Sequence, residues 1–240
     1  MPHYTHYTLR RVSGMVGAAA IFACSPASAS LVYLPAENAL FQGSGLGTVN
    51  TVLTLMSPAS SSTEAGAVFA VAAGVGTSGD AAQGTSQFGL PSLGALGVGS
   101  TTDLRLILNA TEPSGNSITV SQLTLNFYDM LDASLASFVL GEPVTLASTL
   151  TGIGQAGFVF GLDAAQAAAA ATAIANSGTP LADVRVGLAA RLTDATGGPE
   201  TFFIGSARPA VAALVPEPAV PALLAAGLGL VALTKRRRRN

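Results

Sequence analysis

Leu104, Leu106 and Leu108 alternate with Arg105, Ile107 and Asn109. A two-residue period of this kind fits an extended chain with one face turned to a core. The pattern resumes at Ile118 and Val120 and continues through Leu123, Leu125 and Phe127, so the apolar set changes parity across Ser121-Gln122. Such a change predicts a β-bulge or a break between two strands. Val184, Val186, Leu188, Ala190 and Leu192 form a long alternation, with Arg185 and Arg191 on the other face. Shorter apolar strands are predicted over 135–140, 158–162 and 201–204, with weaker candidates at 48–55 and 67–73. Glu112-Pro113-Ser114-Gly115-Asn116 supplies a turn between two of these runs,. Many short strands separated by Gly and Pro turns predict a mainly β domain, arranged as an antiparallel β-sandwich or jelly roll.

One helix interrupts this pattern. Asp163 is placed to cap it, with Gln166 three residues on as the reciprocal partner,. Residues 164–175 are almost pure alanine, and Gly178 with Pro180 supplies the stop,. Alanine side chains let such a helix lie close against a sheet, covering one end or one face. The stretches 57–62 and 74–99, rich in Gly, Ser, Ala and Thr, are expected to form surface loops or an irregular edge,.

The two ends of the chain read differently. Arg10 and Arg11 precede an 11-residue apolar run, Gly14 to Cys24, and Ala27-Ser28-Ala29 is an A-x-A cleavage site. These are the parts of a secretory signal peptide over 1–29, so signal peptidase is expected to cut after Ala29 and leave Ser30 as the mature terminus. Cys24 raises a lipoprotein alternative, which the bulk of Phe22 disfavours. At the other end, over 215–240, Val215-Pro216-Glu217-Pro218 leads into a 15-residue apolar span from Ala219 to Leu233. Lys235, Arg236, Arg237, Arg238 and Arg239 follow. The prolines hold the segment around Glu217 extended, where an enzyme can reach it. The span gives about 23 Å of helix, short for a bilayer core of ~30 Å. Snorkelling of the basic side chains and local thinning can cover the deficit, and the basic cluster acts as a stop that stays cytoplasmic. A permanent membrane anchor is the alternative for this segment, and a buried helix with a basic tail is another.

The order Pro-Glu-Pro, apolar span, arginine block resembles the PEP-CTERM sorting signal of Gram-negative bacteria. The resemblance covers about a tenth of the chain. It implies an exosortase, a membrane transpeptidase that recognises the triplet at Val215 to Pro218 and releases or re-attaches the protein. It further implies passage through the secretion machinery, transient anchoring by the C-terminal transmembrane helix, and a final place at the cell surface or in an extracellular matrix. Proteins of this kind typically accompany exopolysaccharide and biofilm formation. GFVFGLDAAQAAAAA, at 157–171, also resembles a stretch found in other PEP-CTERM proteins.

Between the two ends, residues 30–214 carry twelve carboxylates against four arginines and no lysine, a net charge of −8. Such a domain cannot build the cationic face that nucleic acid requires. Cys24, His3 and His6 are the only cysteine and histidines of the chain, all precede Ser30, and tryptophan is absent throughout. The core must therefore hold the fold without disulfides. Ser-His-Asp and Cys-His catalysis, His- or Cys-based zinc sites and His-ligated haem are excluded. No cofactor is expected.

What chemistry remains belongs to carboxylates. Glycoside hydrolysis needs two acids at a set separation, and Glu37, Glu64, Glu112, Glu142 and Glu200 are available, although Tyr33 and Tyr128 are the only tyrosines left to stack sugar rings. Asp129 and Asp132 stand three apart after a strand, and Asp194 to Glu200 ends another; either turn could offer oxygens to calcium, but neither matches an EF-hand loop and ordinary turn acids fit better. Gly43-Ser44-Gly45-Leu46-Gly47 lacks the Lys and Ser/Thr of a phosphate-binding loop and reads as a turn,. Asn109-Ala110-Thr111 matches the glycosylation sequon, and Thr111, Thr119 and Thr124 make no regular array of the sort an ice-binding face needs,. The expected function is non-catalytic: an exported surface or matrix protein, with exopolysaccharide as a partner and the binding surface on loops of the β domain. A carboxylate-dependent enzyme on polysaccharide is the alternative.

Overall fold

The computed structural model describes residues 30–41, 51–58, 61–72, 74–84, 88–113, 115–147 and 156–207. The segments expected to be a signal peptide, with Ala27 and Ala29, a turn at Gly43–Gly47 and a sorting signal from Val215 to Arg239 lie outside the described residues. Among the described residues no helix is long and apolar enough to cross a membrane.

The described residues form eleven strands in chain order: β1 (Ser30–Tyr33), β2 (Thr51–Leu55), β3 (Thr63–Val71), β4 (Gly74–Gly79), β5 (Leu104–Ala110), β6 (Ser117–Tyr128), β7 (Ser134–Leu140), β8 (Val144–Ala147), β9 (Ala156–Leu162), β10 (Arg185–Thr193) and β11 (Glu200–Ser206). They form one hydrogen-bonded sheet in the order β2-β11-β5-β9-β1-β7-β6-β10-β3-β4, with β8 beside the first part of β6. The sheet curls, so that β2 at one end of this order packs back on β3 and β10 near the other. The domain is thus mainly β, as its alternating pattern predicts. It is not wholly antiparallel: β1 runs parallel to β7 while pairing antiparallel with β9, and this short strand joins the two halves of the sheet.

The alternation sorts side chains as expected. Leu104, Leu106 and Leu108 of β5, Val186, Leu188 and Leu192 of β10, and Phe202 and Ile204 of β11 enter one core. The parity change in β6 is a bulge within a continuous strand: Arg191 of β10 pairs with Gln122 and Leu192 with Val120, passing over Ser121. Ser121 Oγ donates instead to the Arg191 carbonyl at 2.9 Å. One inserted residue keeps Ile118, Val120, Leu123, Leu125 and Phe127 all on the core side,. The opposite face of β5, β9 and β11 is covered too. Ile107, Val159 and Phe203 pack there under Leu34 and under Phe41, the last residue of a 3-10 segment, Pro35–Phe41. Glu37 fastens that segment, accepting from the Arg105 guanidinium in a two-pronged ion pair, with Nη2 to Oε1 at 2.9 Å,.

Of the two forms expected for segment 74–99, surface loop or irregular edge, its start takes the edge, and its later part departs from both. Its first six residues form edge strand β4, paired with β3. Leu90, Leu93 and Val98 then drop into the core, with Leu93 N–H donating to the Val184 carbonyl at 2.8 Å.

Helix α1 spans Ala164–Ser177, with Asp163 and Gln166 making the reciprocal capping box and Gly178 closing the helix at φ 71°. Gln166, Ala167, Ala170 and Ile174 are its buried stripe. The helix lies across β7, β9 and a 3-10 turn, Thr101–Asp103, where the Thr101 hydroxyl donates to the Ala167 carbonyl at 2.8 Å. Asp163→Ala should remove the cap bond to Gln166 N–H and cost about 1 kcal/mol. The fall in melting temperature is about 2–4 °C for a domain of this size, readable by circular dichroism.

Candidate functional site

At the end of the sheet where β2 leaves and β11 enters, three of the five candidate glutamates converge. Each falls on the core-facing phase of its strand. Glu64 shares parity with Val68 on β3, Glu112 extends the Leu106–Leu108–Ala110 phase of β5, and Glu200 precedes Phe202 and Ile204 on β11. All three are buried, Glu200 completely at 0% exposure. The other two stand apart: Glu37 is held by Arg105, and Glu142 is exposed.

Each acid fastens a different connection. The Glu64 Oε1 atom accepts from Ser57 N–H at 3.0 Å and Ser57 Oγ at 3.1 Å, fixing the start of the β2–β3 connection. Glu112 takes the β10–β11 connection, accepting from Thr196 N–H at 2.8 Å, Gly197 N–H at 3.1 Å and Thr196 Oγ1 at 2.6 Å. Thr111 Oγ1 lies 3.2 Å from both the Pro199 carbonyl and Glu200 Oε1. The Oε2 atoms of Glu64 and Glu200 are buried with no donor from any other group, and the two carboxyls hydrogen-bond each other.

That contact requires a proton, since two carboxylates have none to offer. Burial, the hydrogen bond and charge of Glu64, and the charge of Glu112 push the Glu200 carboxyl up to about 9, opposed by the Thr111 hydroxyl. Glu200 is therefore the neutral donor at pH 7 and Glu64 its acceptor. A carboxylic acid kept protonated in an apolar setting is the expected answer to burying like charges together.

Above the pair the β2–β3 and β10–β11 connections wall a cleft of about 450 Å³. Ser57, Ser61, Ser62 and Thr196 bring hydroxyls to it, Gly197 and Gly198 bring bare backbone, and Glu64 reaches it from the core side. The apolar part of the lining is Met56, Pro58, Ala195 and Pro199. Hydroxyls and peptide groups that both donate and accept suit a neutral, hydroxyl-rich ligand.

The other turns singled out in the sequence have local roles. Asp129 Oδ1 accepts from Leu131 N–H at 2.8 Å and Ala133 N–H at 2.9 Å, closing the β6–β7 turn. Asp132, at φ 69°, is ion-paired with Arg185 of β10. Asp194 takes φ 64° after β10, close to its neighbour Thr193. Among the described residues no three His, Cys, Asp or Glu side chains are placed to hold a metal ion. Asn109 of the sequon lies inside β5, paired with Gly157 and Thr201.

The sequence names all three converging glutamates but not their meeting. A readable trace was present: an acid on the buried phase of an alternation is out of place unless it is neutralised or partnered. Comparison of the chain with protein families, characterised proteins and solved structures finds no match.

Proposed function

We propose that this chain is an exported, exosortase-sorted protein of the bacterial surface or extracellular matrix. Its sandwich-like β domain binds exopolysaccharide through the cleft between the β2–β3 and β10–β11 connections, without catalysis. The observation that carries the reading is the order of Pro216-Glu217-Pro218, the apolar span and the arginine block, matched at the other end by an export signal. The hydroxyl lining of the cleft supports a neutral, sugar-like ligand, and the excess of acidic over basic residues in the domain disfavours polyanions,. Replacing Glu217 by Ala should leave export intact and hold the protein in the membrane fraction, so that the ratio of membrane-bound to released protein rises at least tenfold. Normal release of the variant would refute recognition of the triplet. Mass spectrometry of the mature protein adds a second reading, since an intact Arg239-Asn240 end in a host with an exosortase would mean a permanent anchor.

The convergence of Glu64, Glu112 and Glu200 favours keeping one rival, a carboxylate-dependent polysaccharide hydrolase. Two features weigh against it. Retaining glycosidases hold their acids about 5 Å apart and inverting ones farther, whereas Glu64 and Glu200 are in hydrogen-bond contact, and Glu200 is sealed from solvent. Glycan cleavage by the purified protein, lost on Glu64→Gln or Glu200→Gln with the fold retained, would decide for the enzyme.

A further inference from the structure

The chain leaves the β domain at the end opposite the cleft. β11 begins at Glu200, next to the cleft wall, and ends at Ser206, after which Ala207 N–H donates to the Asp103 carbonyl at 2.7 Å. Strand directions carry this exit end across the sheet. β5 and β1 start there and β9 ends there, and because β1 runs parallel to β7, β7 starts on that side as well. In register, Gly205 pairs with Arg105, Arg105 with Gly161 and Gly161 with Val32, while Leu31 pairs with Leu140. Ser134 stands six residues before Leu140 on β7. The β6–β7 turn therefore projects up to about 20 Å past the level of the exit, at ~3.3 Å per residue.

Met130 and Leu131 form the point of that turn, and Leu131, 87% exposed, is the most exposed large apolar side chain among the described residues. The turn beneath them is firmly tied. Asp129 N–H donates to the Ala133 carbonyl at 3.0 Å and Asp132 N–H to the Asp129 carbonyl at 3.2 Å, while the Asp129 carboxylate takes the Leu131 and Ala133 N–H groups. Asp132 is ion-paired with Arg185. Both aspartates are thus engaged within the domain, and two apolar side chains are what the turn offers to its surroundings. Val71 and Val75 of the β3–β4 hairpin, two strands along from β6, are exposed at the same end.

We propose that the β6–β7 turn is a membrane-docking tip: Met130 and Leu131 enter the interfacial layer of a lipid bilayer while the C-terminal tail holds the chain there, so that the cleft faces outward. This rests on the tether proposed above, and adds which end of the domain meets the lipid. Eleven residues separate Ala207 from the apolar span that begins at Ala219, a reach of at most about 40 Å at ~3.4 Å per residue. Two apolar side chains are too few to hold a free protein on lipid. A tether of that length keeps the tip at an effective concentration on the order of millimolar, where a weak contact suffices. Among the described residues the arginines at this end, Arg105 and Arg185, are paired with Glu37 and Asp132, so the tip suits a neutral headgroup layer rather than an anionic one,. A point two residues wide is also far below the area of a stable protein–protein contact.

The chain carries its own probes. Met130 at the tip and Met56 at the cleft are similarly exposed, 62% and 55%, and a methionine that meets a water-borne oxidant becomes its sulfoxide. The full chain, tail included, is expressed in a host without an exosortase, reconstituted in phosphatidylcholine vesicles, recovered by flotation and treated with chloramine-T in the absence of glycan. Peptide mass spectrometry should find Met130 oxidised at least fivefold more slowly than Met56. Leu131→Asp, at a position that the fold leaves in solvent, should bring the two rates within twofold while the protein still floats. Equal rates in the natural chain, or protection that Leu131→Asp leaves in place, would overturn the docking tip and keep the tether. Protection that disappears when the protein is diluted in excess lipid would assign the tip to a second copy of the chain and overturn it as well. A chain that fails to float with the vesicles loses the tether and the tip together.

Discussion

Raising the pH from 5 to 9 should lower the melting temperature of the natural protein by about 10 °C or more, and Glu200→Gln should remove most of that fall. The sign follows from linkage. The Glu200 carboxyl titrates near its ordinary value of 4.5 in the unfolded chain and is pushed up to about 9 in the fold. Below pH 4.5 it is protonated in both states and costs nothing. Between the two values the folded domain must hold a proton that the unfolded chain releases, so stability declines with each pH unit. At about 1.36 kcal/mol per unit, the full window is worth about 6 kcal/mol as an upper bound, and about 3 kcal/mol is already lost at pH 7. A domain with a total stability of about 5–15 kcal/mol registers such a change plainly. At about 2–4 °C per kcal/mol, the shift is well outside error. Gln at 200 stays neutral at every pH, so its profile should be flat in this window, and its advantage over the natural residue should grow toward alkaline pH. A natural protein whose melting temperature rises from pH 5 to 9 would mean that Glu200 is ionised in the fold.

Much of this fold was legible in the sequence, for identifiable reasons. Strong alternation in 104–108, 118–127 and 184–192 places β5, β6 and β10, because the two-residue period carries both the secondary structure and the buried face,. The bulge at Ser121 showed as a change of parity, and the helix showed through Asp163, Gln166 and Gly178, whose roles are local. Less legible were elements whose side chains carry little pattern. β4 reads GVGTSG, and half of it has no side chain to alternate, so its strand character comes from pairing with β3. Leu90, Leu93 and Val98 are spaced irregularly among Gly and Ser, and only the curl of the sheet brings them inside. The parallel pairing of β1 with β7 joins segments more than a hundred residues apart, which no local period encodes. The site follows the same logic. Residues 64, 112 and 200 each betray themselves as acids on an apolar phase, while their convergence depends on which strand ends meet.

Gly197→Ala should cost the domain about 3–4 kcal/mol or more, the range reserved for changes that break a buried network, while Gly198→Ala one residue later should cost under about 1 kcal/mol. A Cβ on Gly197 would lie 2.4 Å from the Thr111 carbonyl oxygen and 2.8 Å from its carbon. Both are backbone atoms, held between the end of β5 and the Glu112 carboxylate, so neither can turn aside as a side chain would. Relief requires the β10–β11 connection to lift from Thr111 and Glu112. That strips Glu112 of the Thr196 and Gly197 N–H bonds and leaves its carboxylate beside Glu200. A buried carboxylate that loses its donors costs several kcal/mol unless it reaches water or takes up a proton. On Gly198 the same Cβ meets only the Thr111 hydroxyl at 3.2 Å and its Cβ at 3.7 Å, and a side chain can yield by that much. Chemical denaturation of the two variants separates the cases, because they share composition and differ only in the direction of one methyl group. Equal losses would mean that the β10–β11 connection does not rest on Thr111. A larger loss at Gly197 that grows as the pH is raised would tie the strap to the ionisation of the acids beneath it.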